Sequence, residues 1–164
     1  MTVGKVEGIS GITNNRHDVT LEVGGQLTIG KTIKALSETI TLIADGGVLE
    51  TGDGGVVGFI LRLEGLGTFD LSPGNLIHGA LFAKIQGDLY FTNNHSLNIG
   101  DAVDPTGIST GGGSVTITSQ GSMTVKSAVN TGPGKGGEVK IDPKVILEAK
   151  IVPGKGNITL DVTG

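Results

Sequence analysis

From Asp18 onward, short apolar alternations separated by glycine-rich corners recur about every 21 residues, in three interleaved series. Val19, Ile40 and Leu61 open one series at intervals of 21, and Leu81 follows 20 later. Leu27, Val48, Phe69 and Leu89 form a second, at 21, 21 and 20; Ile33, Val56, Ile77 and Leu97 form a third, at 23, 21 and 20. Three short strands per repeat in constant order mark a chain that winds one three-sided coil upon another, each coil burying its neighbour's apolar row.

Within a repeat the side chains alternate as strands require. Val19-Thr20-Leu21-Glu22-Val23 is apolar at odd positions and polar at even ones, and Phe69-Asp70-Leu71 and Val115-Thr116-Ile117 repeat the pattern. Gly24-Gly25, Gly46-Gly47, Gly54-Gly55, Gly65, Gly67, Gly74 and Gly87 fall between strands, where a corner needs positive φ or close backbone approach. No helical period intervenes, so a doubly wound α/β sheet is excluded. The expected fold is all-β, a parallel β-helix of about seven three-stranded coils, right-handed by the crossover rule, and about 35 Å long at the ladder spacing. Val19, Ile40, Leu61 and Leu81 then stack as one core column, and Leu27, Val48, Phe69 and Leu89 as another. Internal aromatic stacks are expected for Phe59 with Phe82 and for Phe69 with Phe91.

The chain reads as one domain, residues 1–164, with regular coils over 18–99, an excursion at 100–113 and looser coils over 114–164. The excursion lacks alternation, and equivalent positions jump by 34 residues from Leu81 to Val115. Val115, Val139 and Ile158 are expected to open successive coils. Neither end carries a helix that would cover the exposed ladder edge, which implies either a segment of something longer or a unit that stacks end to end.

Composition narrows the function classes. Thirty glycines would suit disorder, but 37% hydrophobic residues at regular positions do not. A net charge of −4 argues against a nucleic-acid partner, and the longest nearly apolar run, Val56 to Leu63, is too short to span a membrane as a helix.

Loops on rigid scaffolds often carry function, so Asp101, Asp104, Thr106 and Ser109 of the excursion form the candidate binding loop. Calcium held by Asp101 and Asp104 with Asp53 stands beside the commoner role of such acids as turn formers. His17, His78 and His95 lack metal-ligand spacing. No outward acid–base pair is legible, so neither a catalytic residue nor a cofactor is assigned and the chain reads as a non-enzyme. Asn14-Asn15 and Asn93-Asn94 are placed to satisfy corner backbone groups.

The phrases Asp18-Val-Thr-Leu-Glu-Val-Gly-Gly-Gln-Leu-Thr-Ile-Gly30 and Gly113-Ser-Val-Thr-Ile-Thr-Ser-Gln-Gly-Ser-Met-Thr-Val125 resemble the repeats of filamentous-haemagglutinin-type bacterial exoproteins. Gly87 to Gly100 and Gly156 to Gly164 are similar. The resemblance implies a stalk segment of an extracellular or cell-surface adhesin, exported by two-partner secretion, serving attachment or biofilm. A host or matrix glycan or protein receptor would be its partner. Two alternatives stand beside it: a filament subunit that self-associates head to tail through its uncapped ends, and a polysaccharide-active module.

Overall fold

A computed structural model describes residues 1–6, 9–14, 16–101, 106–133, 138–142 and 144–163. The described residues form strands and turns without a helix. The first level holds β1 (Thr2–Val3), the short antiparallel pair β2 (Lys5–Val6) and β3 (Ile9–Ser10), β4 (Ile12–Thr13) and β5 (Val19–Val23). Three strands then each run through nearly a whole coil, β6 (Leu27–Ala44), β7 (Val48–Gly65) and β8 (Phe69–Ile85). Shorter pieces follow: β9 (Leu89–Asn93), β10 (Leu97–Ile99), β11 (Ile108–Thr110), β12 (Val115–Ser119), β13 (Met123–Val125) and β14 (Val129–Asn130). The last are β15 (Val139–Ile141), β16 (Val145–Leu147), β17 (Ile151–Val152) and β18 (Ile158–Val162). Apart from the β2–β3 pair, every pairing is parallel, and the coils stack into a β-solenoid of about six turns, one fewer than the spacing suggested.

Both expected columns are present. Val19, Ile40, Leu61 and Leu81 are ladder partners in succession, as are Leu27, Val48, Phe69 and Leu89, and all are buried. The third series is buried too, but its register slides. Ile33 faces Val56, whereas Ile77 faces Gly58 and Leu97 lies one residue before the Asn98–Ala80 pair. Each slide is two residues, which keeps the same side chains inward.

Three further expectations change. Leu81 pairs with Ile99, while Val115 continues the Leu89 column, so the interruption belongs to a different corner than the 34-residue jump implied. The excursion is also shorter than 100–113, because Ile108–Thr110 rejoins the ladder opposite Ala83–Ile85. Finally, β18 lies between β12 and β15, with Ile158 facing both Val115 and Val139. The chain's last strand thus fills the slot expected for Val139, and its Ile158, Leu160 and Val162 are buried there.

Phe69 and Phe91 are both in the core but in different rows, Phe69 facing Leu89 and Phe91 facing Leu71, so they are not stacked as ladder partners. Phe59, expected inside, is 47% exposed: Val56 and Gly58 take the inward positions, so Phe59 alternates outward just where the register with β8 shifts between Gly58 and Ile60.

The corner glycines answer to close approach more than to φ. Gly46, Gly67, Gly87, Gly113 and Gly156 stack on one another, and a Cβ on Gly87 would lie 2.6 Å from the Gly67 carbonyl carbon. Ladder spacing sets that distance, so no neighbour can yield. Gly87→Ala should therefore cost at least about 2 kcal/mol in urea unfolding. Gly24→Ala, with open space around its Cβ position, should be neutral or stabilise by up to about 1 kcal/mol.

Candidate functional site

The excursion leaves and rejoins the ladder on either side of one residue. Gly100 N–H donates to the Leu81 carbonyl at 3.0 Å, and Ala83 N–H donates to the Gly107 carbonyl at 3.1 Å. Only Phe82 lies between these anchor points. By alternation Phe82 points outward, since Leu81 and Ala83 are core residues, yet it is only 2% exposed. The Arg62 guanidinium, from the coil before, sits 4.3 Å from its ring centroid. An outward aromatic is thus covered by a cation on one side and flanked by the two anchor points of the loop, and its burial strengthens the cation–π contact.

Both loop ends are glycines for steric reasons. Gly100 has φ +70, and a Cβ there would meet Ser127 at 2.3 Å; one on Gly107 would meet the Ala128 carbonyl at 2.1 Å. The following coil clasps the base as well, Lys126 and Ser127 N–H both donating to the Ile99 carbonyl and Ser127 Oγ donating to the Asp101 carbonyl at 3.1 Å.

Two adjoining concavities open beside the loop. One, of about 240 Å³, is lined by Arg62, Glu64, Phe82, Lys84 and Thr106; the other, of about 370 Å³, by Lys84, Thr106, Ile108, Ser109 and Asn130. Lys84 and Thr106 belong to both, so together they make a groove along the solenoid axis. Its floor is a polar row of ladder partners, Glu64, Lys84, Ser109 and Asn130, four levels spanning about 14 Å at the strand spacing. The groove is lined by two cations, one carboxylate, two hydroxyls and an amide, of which Arg62 is engaged on the Phe82 ring, a lining polar enough for an elongated polar ligand.

Of the four loop residues singled out in the sequence, Thr106 and Ser109 line this groove. Asp101 stands at the loop base, and its carbonyl serves Ser127. Asp104 lies outside the described residues. Asp53, considered as a calcium partner, pairs instead with Lys31 on the neighbouring coil, a contact that holds its carboxyl below the usual range. Among the described residues no group of three or more His, Asp or Glu side chains could hold a metal ion. Asp70 closes a local turn by accepting from Ser72 N–H and Oγ. His78 and His95 are exposed and meet edge to face, 4.8 Å between ring centroids.

Arg62, Glu64, Phe82, Lys84 and Asn130 were not picked out from sequence. The signal was available: Arg62 and Phe82 follow Leu61 and Leu81 by one, so they share an outward row, and the insertion begins one coil below.

Phe82→Ala should leave the strand signal in circular dichroism intact while limited proteolysis within 100–107 accelerates at least about tenfold. Unchanged cleavage would show that the ring does not anchor the loop.

The chain matches no protein-family model, no curated protein and no solved structure.

Proposed function

We propose that the chain is a structural stalk segment of an extracellular bacterial surface protein, a stiff rod that holds its lateral groove in position for attachment. The observation that supports it is the continuous inward column Val19, Ile40, Leu61, Leu81, Ile99 and Val125, ladder-paired through six levels without an interior gap. Such a column couples each coil to the next through backbone hydrogen bonds and shared core, which resists bending. The bacterial surface setting comes from the repeat resemblance. The groove is the contact surface of the stalk, because it gathers polar side chains from four coils beside an anchored loop.

Adhesion of coated beads to glycan-bearing cell surfaces tests both parts. Wild-type beads should adhere, and Lys84→Glu should reduce adhesion at least about tenfold with the circular dichroism spectrum unchanged. Adhesion insensitive to Lys84→Glu places contact elsewhere on the stalk; no adhesion on any surface rejects attachment.

One observation favours a second reading, a subunit that polymerises head to tail. At one end β1, β4 and β5 have ladder partners on one side only, and at the other so do β15, β16 and β17, among the described residues. Open parallel edges are templates for pairing with another chain. Cryo-electron microscopy across a concentration series decides it: rods far longer than about 35 Å support the filament, and single short particles exclude it.

A further inference from the structure

Glu50 occupies a place the coil reserves for apolar side chains. Its ladder partner on β6 is Ile29, and the same inward row continues through Leu71, Phe91, Ile117 and Leu160, all buried. Glu50 is itself only 4% exposed. One carboxyl oxygen, Oε2, accepts from Asn75 Nδ2 at 3.3 Å, while Oε1 is sealed from solvent without a partner. Asn75 is overcommitted. Its Nδ2 carries two protons but faces the carbonyls of Leu71 at 2.8 Å and Thr92 at 3.2 Å as well, so the contact with Glu50 is the longest of three.

The charged groups packed nearby do not compensate. Lys31 on β6 is taken by Asp53 of β7, Asp70 on β8 repels, and β9 contributes only the Thr92 carbonyl to the same amide. An ionised carboxylate is costly where one shared hydrogen bond is all it receives. Burial accordingly pushes the Glu50 carboxyl from its ordinary 4.5 to about 7, the Asn75 bond opposing and Asp70 adding to the rise.

The segment that follows is exposed at its tip and only intermittently paired. Thr51, Gly52 and Asp53 are exposed, Gly52 has φ +59, and registry with β8 is interrupted between Leu49 and Val57. On the β6 side it is held at separate points, Glu50 opposite Ile29, Asp53 opposite Lys31 and Val56 opposite Ile33, with the register shifting between them. Gly54 seats against the Ile29 carbonyl, Lys31 pairs with Asp53, and Val56 N–H donates to Asn75 Oδ1 at 2.8 Å.

We propose that this corner, residues 50–56, is a proton-operated latch. With Glu50 neutral the corner closes on Asn75; with Glu50 ionised the carboxylate leaves the core and the corner opens, while the ladders at Val48 and Val57 hold. Between pH 4.5 and about 7 the native state binds more protons than the unfolded chain. Stability from this site is therefore complete below the lower value and lost as pH rises through the upper one.

Carbon-detected NMR of the full chain reads Glu50 directly. Its Cδ signal should titrate near neutrality, with the Val56 amide and the Asn75 side-chain amide moving at the same midpoint. Across that range the folded-to-unfolded ratio in urea should fall by as much as about 100-fold. E50Q should hold the Val56 and Asn75 signals in their closed positions from acid to alkaline pH and flatten the urea dependence. D70N, which keeps Glu50, should lower the midpoint and serves if E50Q does not fold. His78 and His95 are followed through their own ring signals. Titration of Glu50 together with exposed glutamates, or a neutral midpoint with Val56 and Asn75 unmoved, overturns the latch.

Discussion

Everything in this molecule depends on the parallel backbone ladder. It sets each residue about 4.8 Å from its equivalent in the next coil, so like positions must tolerate one another at that distance. An inward row must be apolar level after level, which is why Leu61 sits between Ile40 and Leu81. A tight corner must lack side chains level after level, which is why Gly67 rests on Gly46 and Gly87 on Gly67. One geometric constant thus accounts for both the hydrophobic and the glycine periodicity.

The same constant explains how polar groups survive inside. At one corner Asn75, Asn93 and Ser119 are ladder partners and fully buried. Asn93 accepts from the Ile77 N–H and donates to the Ile77 carbonyl, taking over the backbone bonds that the turning chain breaks. Glu50 lies beside this stack without a matching set of donors, and there the periodic solution runs out.

How much of this was legible depends on how far each feature is periodic. The two columns headed by Val19 and Leu27 could be read directly because alternation and spacing agreed. The corner role of Asn93 was legible from its place in a turn, whereas Asn75, behind Pro73-Gly74, carried no such signal and its part emerges only from the register. Insertion of β18 between β12 and β15 was not legible, because Val115-Thr-Ile, Val139-Lys-Ile and Ile158-Thr-Leu fit the ladder equally and sequence order alone does not rank them. The groove was half legible: the loop announced itself through lost alternation, but the partner face lies on strands whose outward residues look like any solvated row.

Because the excursion departs at Leu81 and returns at Ala83, its two ends meet the scaffold almost at one point. The ladder therefore registers only that a loop is attached, not how long it is. Chain-closure entropy grows so slowly with length that doubling the connection would add only about 0.6 kcal/mol. This corner is a natural port for foreign sequence: a peptide or small domain whose termini lie close together could be carried there, held at a fixed height on the rod while the core below stays unchanged.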